Sequence, residues 1–174
     1  VRVLSHEDTH AAPWKMPSVC PSCHTPVQRL PGEVAYRCPN AVHCPEQRLR
    51  RLIFFTSKDA LDIEHLGEKA VEQLVERGFV REPADFFALK PEQLAQLEGF
   101  KDKSIQNVLS ALDKARDVSL WRFIHGLGIR FVGKGTAELL ANRSGTLEQL
   151  MHLSKEELLA VDGIGEKVAE SVLE

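Results

Sequence analysis

The sequence predicts a mainly α protein in which a small four-cysteine module is followed by four tandem helical hairpins arranged as two pairs. Three observations predict it. All the cysteines of this 174-residue chain fall in one short segment as two close pairs, the apolar residues from Leu52 onward recur at helical spacing, and glycine interrupts that helical stretch at a nearly constant interval. Aromatic residues make up only 6% of the chain, and the alternating β-branched runs of a sandwich are missing, which argues against an all-β fold. With 43% hydrophobic and 27% charged residues the composition is that of a globular protein. No run of about 18 apolar residues occurs, so a membrane-spanning helix is excluded along with wholesale disorder. The length suffices for one or two domains with a real core.

Residues 1–19 open with a short apolar run (Val1, Val3, Leu4) and then turn polar, punctuated by Pro13 and Pro17. They are expected to be the end of a β-strand from a preceding domain and a linker. Because the chain starts at Val1 without an initiating Met, a signal peptide or a lipidation motif, further sequence is expected on at least one side.

Residues 20–50 hold Cys20 and Cys23 in a C-P-S-C pair and, after a gap of fourteen, Cys38 and Cys44 in C-P-N-A-V-H-C. Two close pairs separated by a stretch long enough for a short hairpin let four thiolates converge tetrahedrally on Zn²⁺. Too few apolar residues lie in this segment to form a core, whereas zinc supplies on the order of 10–16 kcal/mol in small finger peptides. The metal is therefore expected to hold the module together. Two disulfides are the alternative, but every cysteine belongs to the paired pattern and no secretory signal is present. His24 and His43 each adjoin a cysteine, and that adjacency points their side chains elsewhere, leaving four sulfurs and a closed, structural site. Arg37, Arg48, Arg50 and Arg51 give the module a basic edge that suits either phosphate contact or a solvated rim.

Residues 51–174 form the helical domain, with hairpins near 60–77, 94–111, 123–142 and 158–174. Four segments align without gaps: ALDIEHLGEKAVEQLV, LAQLEGFKDKSIQNVL, GLGIRFVGKGTAELLA and LLAVDGIGEKVAESVL. Their common anchor position is Gly67, Lys101, Gly133 and Gly165, at spacings of 34, 32 and 32. An apolar residue stands just before each anchor (Leu66, Phe100, Val132, Ile164) and another four before it (Ile63, Leu97, Ile129, Val161). After it, the positions at four, seven and eight repeat one apolar helical face four times. At an offset of 64, Phe86, Leu94, Leu97 and Gly99 fall on Leu150, Leu158, Val161 and Gly163, so the second and fourth hairpins share an extra preceding helix and the domain is two tandem pairs. Helix starts agree: Ser154 with Glu157 spells a capping box, and Pro91 occupies a first-turn position.

These segments resemble the helix-hairpin-helix motif, in which an apolar-Gly-apolar-Gly turn joins two helices and presents the second helix's amino end to DNA. The clearest copy runs from Val161 to Ala169 through Gly163-Ile164-Gly165. Glycine admits positive φ and carries no Cβ, so a phosphate oxygen can approach the backbone amides while the positive end of the helix attracts it. Such contacts carry no base information, so binding is expected to ignore sequence. The candidate DNA contacts are Gly67, Lys69, Gly99, Lys101, Lys103, Arg130, Gly133, Lys134, Gly163, Gly165 and Lys167. His65, Lys101 and Phe131 stand where the motif has glycine, which ranks Gly163 and Gly165 first, Gly133 next, and the second hairpin last, with Lys101 acting through charge. An array whose glycines merely cap helices is the competing reading, and the period of 34 is also that of tetratricopeptide units, but their Trp, Leu-Gly and Tyr positions are absent. The net charge of −3 argues mildly against a nucleic-acid partner, although backbone donors need few cations.

A four-cysteine finger followed directly by four such hairpins resembles the carboxyl-terminal part of bacterial NAD⁺-dependent DNA ligases. The residues that carry this are Met16-Pro17 leading into Cys20-Pro21-x-Cys23; Arg37-Cys38-Pro39-Asn40 and Cys44-Pro45-x-Gln47; Leu61-Asp62-Ile63-Glu64-x-Leu66-Gly67-Glu68-Lys69; Leu97-Glu98-Gly99-Phe100; and Leu127-Gly128-Ile129-Arg130-x-Val132-Gly133. His65, Lys101 and Glu46 depart from the family's usual Gly, Gly and Ala. The resemblance implies that residues 1–12 are the exit from an oligonucleotide-binding barrel and that the finger joins the barrel to the helical domain. It also implies that the helical domain grips nicked duplex DNA through the minor groove, within a monomeric, cytoplasmic, nucleoid-associated enzyme of replication and repair. That enzyme adenylates a Lys-x-Asp-Gly lysine with NAD⁺; the motif does not occur here, so this chain is expected to be inactive alone, with NAD⁺ bound by a domain outside it. The alternatives are a stand-alone module that binds DNA structures and a helical protein-interaction scaffold.

Overall fold

The computed structural model describes residues 15–29 and 32–174, so the expected barrel exit at residues 1–12 lies outside the described residues. The chain separates into two compact units that meet in sequence between Pro45 and Glu46. In the first, no strand is formed among the described residues; two isolated antiparallel bridges, Val19 with Pro26 and Gln28 with Arg37, are the only sheet-like pairing. The Cys20–Thr25 turn is closed from both ends, by the Cys20 amide on Thr25 O at 2.8 Å and the His24 amide on Cys20 O at 2.9 Å. So little regular structure is what a segment without an apolar core produces.

The second unit is helical. Helix α1 (Pro45–Thr56) starts on a proline and buries Leu52 and Phe55. It ends where Thr56 Oγ1 and Ser57 Oγ donate back to the carbonyls of Ile53 and Phe54, at 3.1 and 2.7 Å, drawing the chain out of the helix. Hydrogen-bonded turns then occupy Ser57–Leu61, where the other repeats have a first helix: the amides of Ala60 and Asp62 both point to Ser57 O. Helix α2 (Glu68–Glu76), a 3₁₀ turn over Pro83–Ala88, α3 (Pro91–Leu94) and α4 (Asp102–Lys114) complete the first pair. The second pair comprises α5 (Leu120–Gly126), α6 (Lys134–Ser144), α7 (Leu147–Met151), α8 (Lys155–Leu159) and α9 (Glu166–Leu173). Helix α8 begins on the expected box: Ser154 Oγ accepts from the Glu157 amide at 3.2 Å, and Glu157 Oε2 accepts from the Ser154 amide at 2.9 Å. The Ser154 amide foremost, then the Ser154 hydroxyl and the charge of Arg143, keep the Glu157 carboxyl below the usual carboxylate range.

The apolar faces build two cores, one per pair. Phe55, Leu61, Ile63, Leu66, Val71, Leu74, Phe86, Leu94, Ile105 and Val108 belong to the first. Ile124, Val132, Ala137, Leu140, Leu150, Leu158, Ile164 and Ala169 form the second. The offset of 64 holds in packing as well as in letters: Phe86 and Leu150 are both buried, as are Leu94 and Leu158, while Gly99 and Gly163 share φ values of 81° and 89°. The symmetry breaks at Phe87, which lies edge-on to Phe55 and beneath the Arg116 guanidinium, whereas its counterpart Met151 is 76% exposed. Helix α1 is responsible, for it is an additional helix that covers the first pair.

The two pairs meet at Gly126. A Cβ placed there would come 2.5 Å from Leu61 Cδ1 and 3.4 Å from both Ala60 Cβ and Phe55 Cδ2, so α5 lies directly on the turns that follow α1. Arg122 donates across the same seam to Lys58 O at 2.7 Å, and Phe123 packs edge-on to Phe55. Gly126→Val, which overpacks this seam, is expected to lower the unfolding free energy of the helical unit by about 2–3 kcal/mol in urea titration. Bound zinc should stay at wild-type level.

Candidate metal centre and nucleic-acid interface

The first unit brings Cys20, Cys23, Cys38 and Cys44 together, with all four sulfurs within 4.8 Å of one another. Cys20 Sγ lies 3.9 Å from Cys44 Sγ, and Cys23 Sγ lies 3.5 Å from Cys38 Sγ. A disulfide requires about 2.05 Å. The edge of a sulfur tetrahedron around zinc, with Zn–S bonds of about 2.3 Å, is about 3.8 Å. The donor set thus fits zinc and nothing in it fits a disulfide. Cys20 and Cys44 are buried, and among the described residues the cluster gathers sulfurs alone, with neither His24 nor His43. The Thr25 hydroxyl, 3.3 Å away, and the Thr25 amide hold the Cys23 thiol down at about 6, whereas burial pushes Cys38 up to about 12. Sulfurs this close cannot all ionise unless a cation sits among them. Zinc is the structural cofactor such a site takes, and with four protein sulfurs no coordination position is left for substrate.

In the helical unit the four predicted hairpins close by the same bond. The residue before each anchor donates its amide to the carbonyl three residues earlier: Leu66 to Ile63 at 3.4 Å, Phe100 to Leu97 at 3.3 Å, Val132 to Ile129 at 3.0 Å, and Ile164 to Val161 at 3.0 Å. The residue just before the donor takes positive φ every time, 64° at His65, 81° at Gly99, 64° at Phe131 and 89° at Gly163. These are the marks of a type II turn. His65 and Phe131, departures by residue type, therefore keep the motif's backbone shape.

The anchors behave differently. Gly67, Gly133 and Gly165 are N-caps in extended backbone, at φ −76°, −83° and −97°, which any residue adopts. A Cβ added at any of the three meets nothing within 4 Å. Neither conformation nor internal packing asks for glycine there. No side chain caps α2, α6 or α9, so the first amides of these helices are left without a side-chain acceptor. Every candidate contact residue is exposed on the hairpins or the first helical turn after them, while the intervening Leu66, Val132 and Ile164 are buried.

The hairpins are electrostatically unequal. At the third, Arg130 and Lys134 flank Gly133, and the first turn of α6 contains no acid. Lys134 Nζ stands 5.1 Å from the Trp121 ring centroid. At the first and fourth, the helix opens on Glu68 and Glu166, but each carboxylate is engaged: Glu68 by Arg50, and Glu166 by Lys155 Nζ at 2.7 Å. Arg50 and Lys155 are correspondingly held more firmly in their charged forms, chiefly by Glu46 and then Glu68 for Arg50, and by Glu166 and then Glu170 for Lys155. At the second, the anchor amide is already occupied, since Lys101 N donates to Ser104 Oγ at 2.7 Å. The neighbouring Glu98 amide donates to Gln73 Oε1, also at 2.7 Å. Gln73 and Glu98 line an open cleft of about 900 Å³ that also includes Gly67, Lys69 and Gly99, so the first two hairpins border one depression. Ser104 is a residue that the repeat alignment did not single out, although a hydroxyl three residues into a helix is a recognisable capping partner.

Comparison with known proteins agrees with this division. Residues 19–45 match the NAD-dependent DNA ligase C4 zinc finger domain, 57–114 a SAM-like helix-hairpin-helix tandem, and 122–174 the helix-hairpin-helix motif. The chain is 51% identical over 171 residues to a DNA ligase of Protochlamydia amoebophila, covering 98% of this chain and 26% of that protein. It is 48% identical over 172 residues to one of Chloroflexus aggregans (99% and 25%), and 45% identical over 172 residues to one of Roseiflexus castenholzii (99% and 24%). The chain thus spans about a quarter of the length of the curated relatives it matches.

Metal analysis of the purified chain should find one zinc, held by Cys20, Cys23, Cys38 and Cys44. Cys44→Ser is expected to abolish tight zinc retention while far-UV circular dichroism of the helical unit persists. Acid should release the metal as protons compete for the thiolates.

Proposed function

We propose that this chain, whose zinc-finger and helix-hairpin-helix segments are those of the C-terminal part of the NAD-dependent DNA ligases, is the portion of such an enzyme that grips nicked duplex DNA without reading its sequence. The observation that carries this is the anchor glycine. At Gly67, Gly133 and Gly165 a side chain is dispensed with where the fold has room for one, beside amides directed outward from a helix's positive end. A phosphate oxygen is the partner such a corner accepts, because it needs close approach to main-chain donors and carries negative charge.

The hairpins divide the work. The third supplies backbone donors plus the charges of Arg130 and Lys134, whereas the first and fourth supply backbone donors with their nearby carboxylates drawn off by Arg50 and Lys155. The second, whose anchor amide is taken by Ser104, contributes chiefly the charges of Lys101 and Lys103. Lys69 and Lys167 sit in the first turn of their helices, where a long side chain reaches a phosphate next to the one on the amides. All four hairpins are helix-hairpin-helix motifs on this reading. Phosphate contacts position a protein on the duplex and leave the bases unread, which suits an enzyme that must close any nick.

Within the whole protein, NAD⁺ supplies the adenylate for nick sealing in a domain outside this chain, and the chain alone is inactive. The finger joins the preceding barrel to the helical domain, and the protein works as a cytoplasmic, nucleoid-associated monomer in bacterial replication and repair. Among the described residues, no helix is long and apolar enough to cross a membrane.

The test is anisotropy titration of the chain with labelled nicked duplex at two salt concentrations. Gly165→Val is expected to weaken binding about tenfold without altering base preference or fold, because its Cβ enters open space. The salt dependence should be shallow, since the slope is about 0.9 per phosphate neutralised by a cation and amides neutralise none. Wild-type affinity in Gly133→Val and Gly165→Val alike would refute the assignment.

A further inference from the structure

The third hairpin carries a residue that neither the fold nor phosphate binding requires. Among the described residues, the non-glycine positions with positive φ are His24, Asp62, His65 and Phe131. Aspartate and histidine enter this region comparatively readily, but a phenylalanine there is an outlier. The second and fourth hairpins meet the same demand with Gly99 and Gly163. Phe131 returns little core packing for its strain, because the residue is 45% exposed. Its ring is covered instead by the Arg130 guanidinium, whose carbon lies 4.5 Å from the ring centroid. Strained backbone thus holds an apolar ring at the surface, beside two cations and two residues ahead of Gly133, and strain of this kind clusters where a ligand is clamped.

We propose that Phe131, backed by Arg130, reads the sugar of the bound strand: the uncovered face and edge of the ring pack on the deoxyribose next to the phosphate held by the third hairpin, while Arg130 turns its outer N–H groups to the adjacent phosphate. This rests on the DNA-gripping function proposed above. The covered face selects sugar over base, because a side chain that wedges between stacked bases needs both faces bare, and here one carries the guanidinium. Deoxyribose offers an apolar C–H surface, whereas a ribose would press its 2′-hydroxyl against the phenyl without a hydrogen-bond partner. The third hairpin therefore discriminates against an RNA strand.

The experiment titrates the chain and its variants with a labelled DNA duplex and with a DNA–RNA hybrid of the same sequence. Phe131→Gly and Phe131→Asn, both at ease in left-handed backbone, should fold with an unchanged or higher thermal midpoint. They should bind the DNA duplex about tenfold more weakly and lose most of the wild-type preference for DNA over the hybrid. Gly165→Val should weaken both duplexes alike and leave that preference intact. Wild-type binding in both Phe131 variants overturns the proposal, as does an equal loss on both duplexes. Dequenching of 2-aminopurine by the wild type that disappears in Phe131→Gly makes the ring a base wedge and overturns it too. If the wild type binds neither duplex, the DNA-gripping function itself fails.

Discussion

The helical unit depends on one main-chain hydrogen bond, made four times. An amide just before the anchor reaches the carbonyl three residues back, each time with the residue before the donor in left-handed backbone. That bond fixes three things together. It buries the donor's apolar side chain at Leu66, Val132 and Ile164, it releases the next residue in extended conformation, and it starts a helix whose first amides lack internal acceptors. Core, cap and outward donors are therefore one feature. A side chain that bonds an amide at the corner takes a donor away, as Ser104 does with the Lys101 amide at the second hairpin.

The first unit solves an opposite problem. Its described residues form two isolated bridges and no helix before Pro45, and its most buried atoms belong to cysteines rather than aliphatic side chains. What hydrophobic burial does for the helical unit is done there by sulfur held at tetrahedral spacing. The two units thus rest on different physical forces, and their stabilities respond to different conditions: chelators and acid for one, denaturant and seam packing for the other.

Much of this was legible in the sequence because it lay in spacing. The paired cysteines, the repeated apolar face after each anchor, the box at Ser154 and Glu157, and the offset between Phe86 and Leu150 are all periodic signals that survive changes of residue type. What escaped was set by tertiary context. Ser57–Leu61 forms turns rather than a first helix because Thr56 and Ser57 hydroxyls end α1, a local competition that apolar periodicity does not register. His65 and Phe131 break the glycine pattern yet keep its backbone shape, since the closing bond is worth the strain. The bond from Lys101 to Ser104 and the engagement of Glu68 and Glu166 depend on which residues three dimensions bring together, so these differences between hairpins lie beyond the order that residue type alone gives.

The bare backbone at Gly126 bears on how the domain meets a duplex. With α5 pressed on Leu61 and Phe55 and no side chain between, the first and second pairs share a close-packed seam that leaves little room for hinging. Corners borne on such a seam keep a constant separation from one another. For the duplex grip proposed above, the domain is therefore a preset gauge of phosphate spacing: it would forfeit little conformational freedom on contact, and a bent, stretched or melted duplex would have to adjust to the protein rather than the reverse.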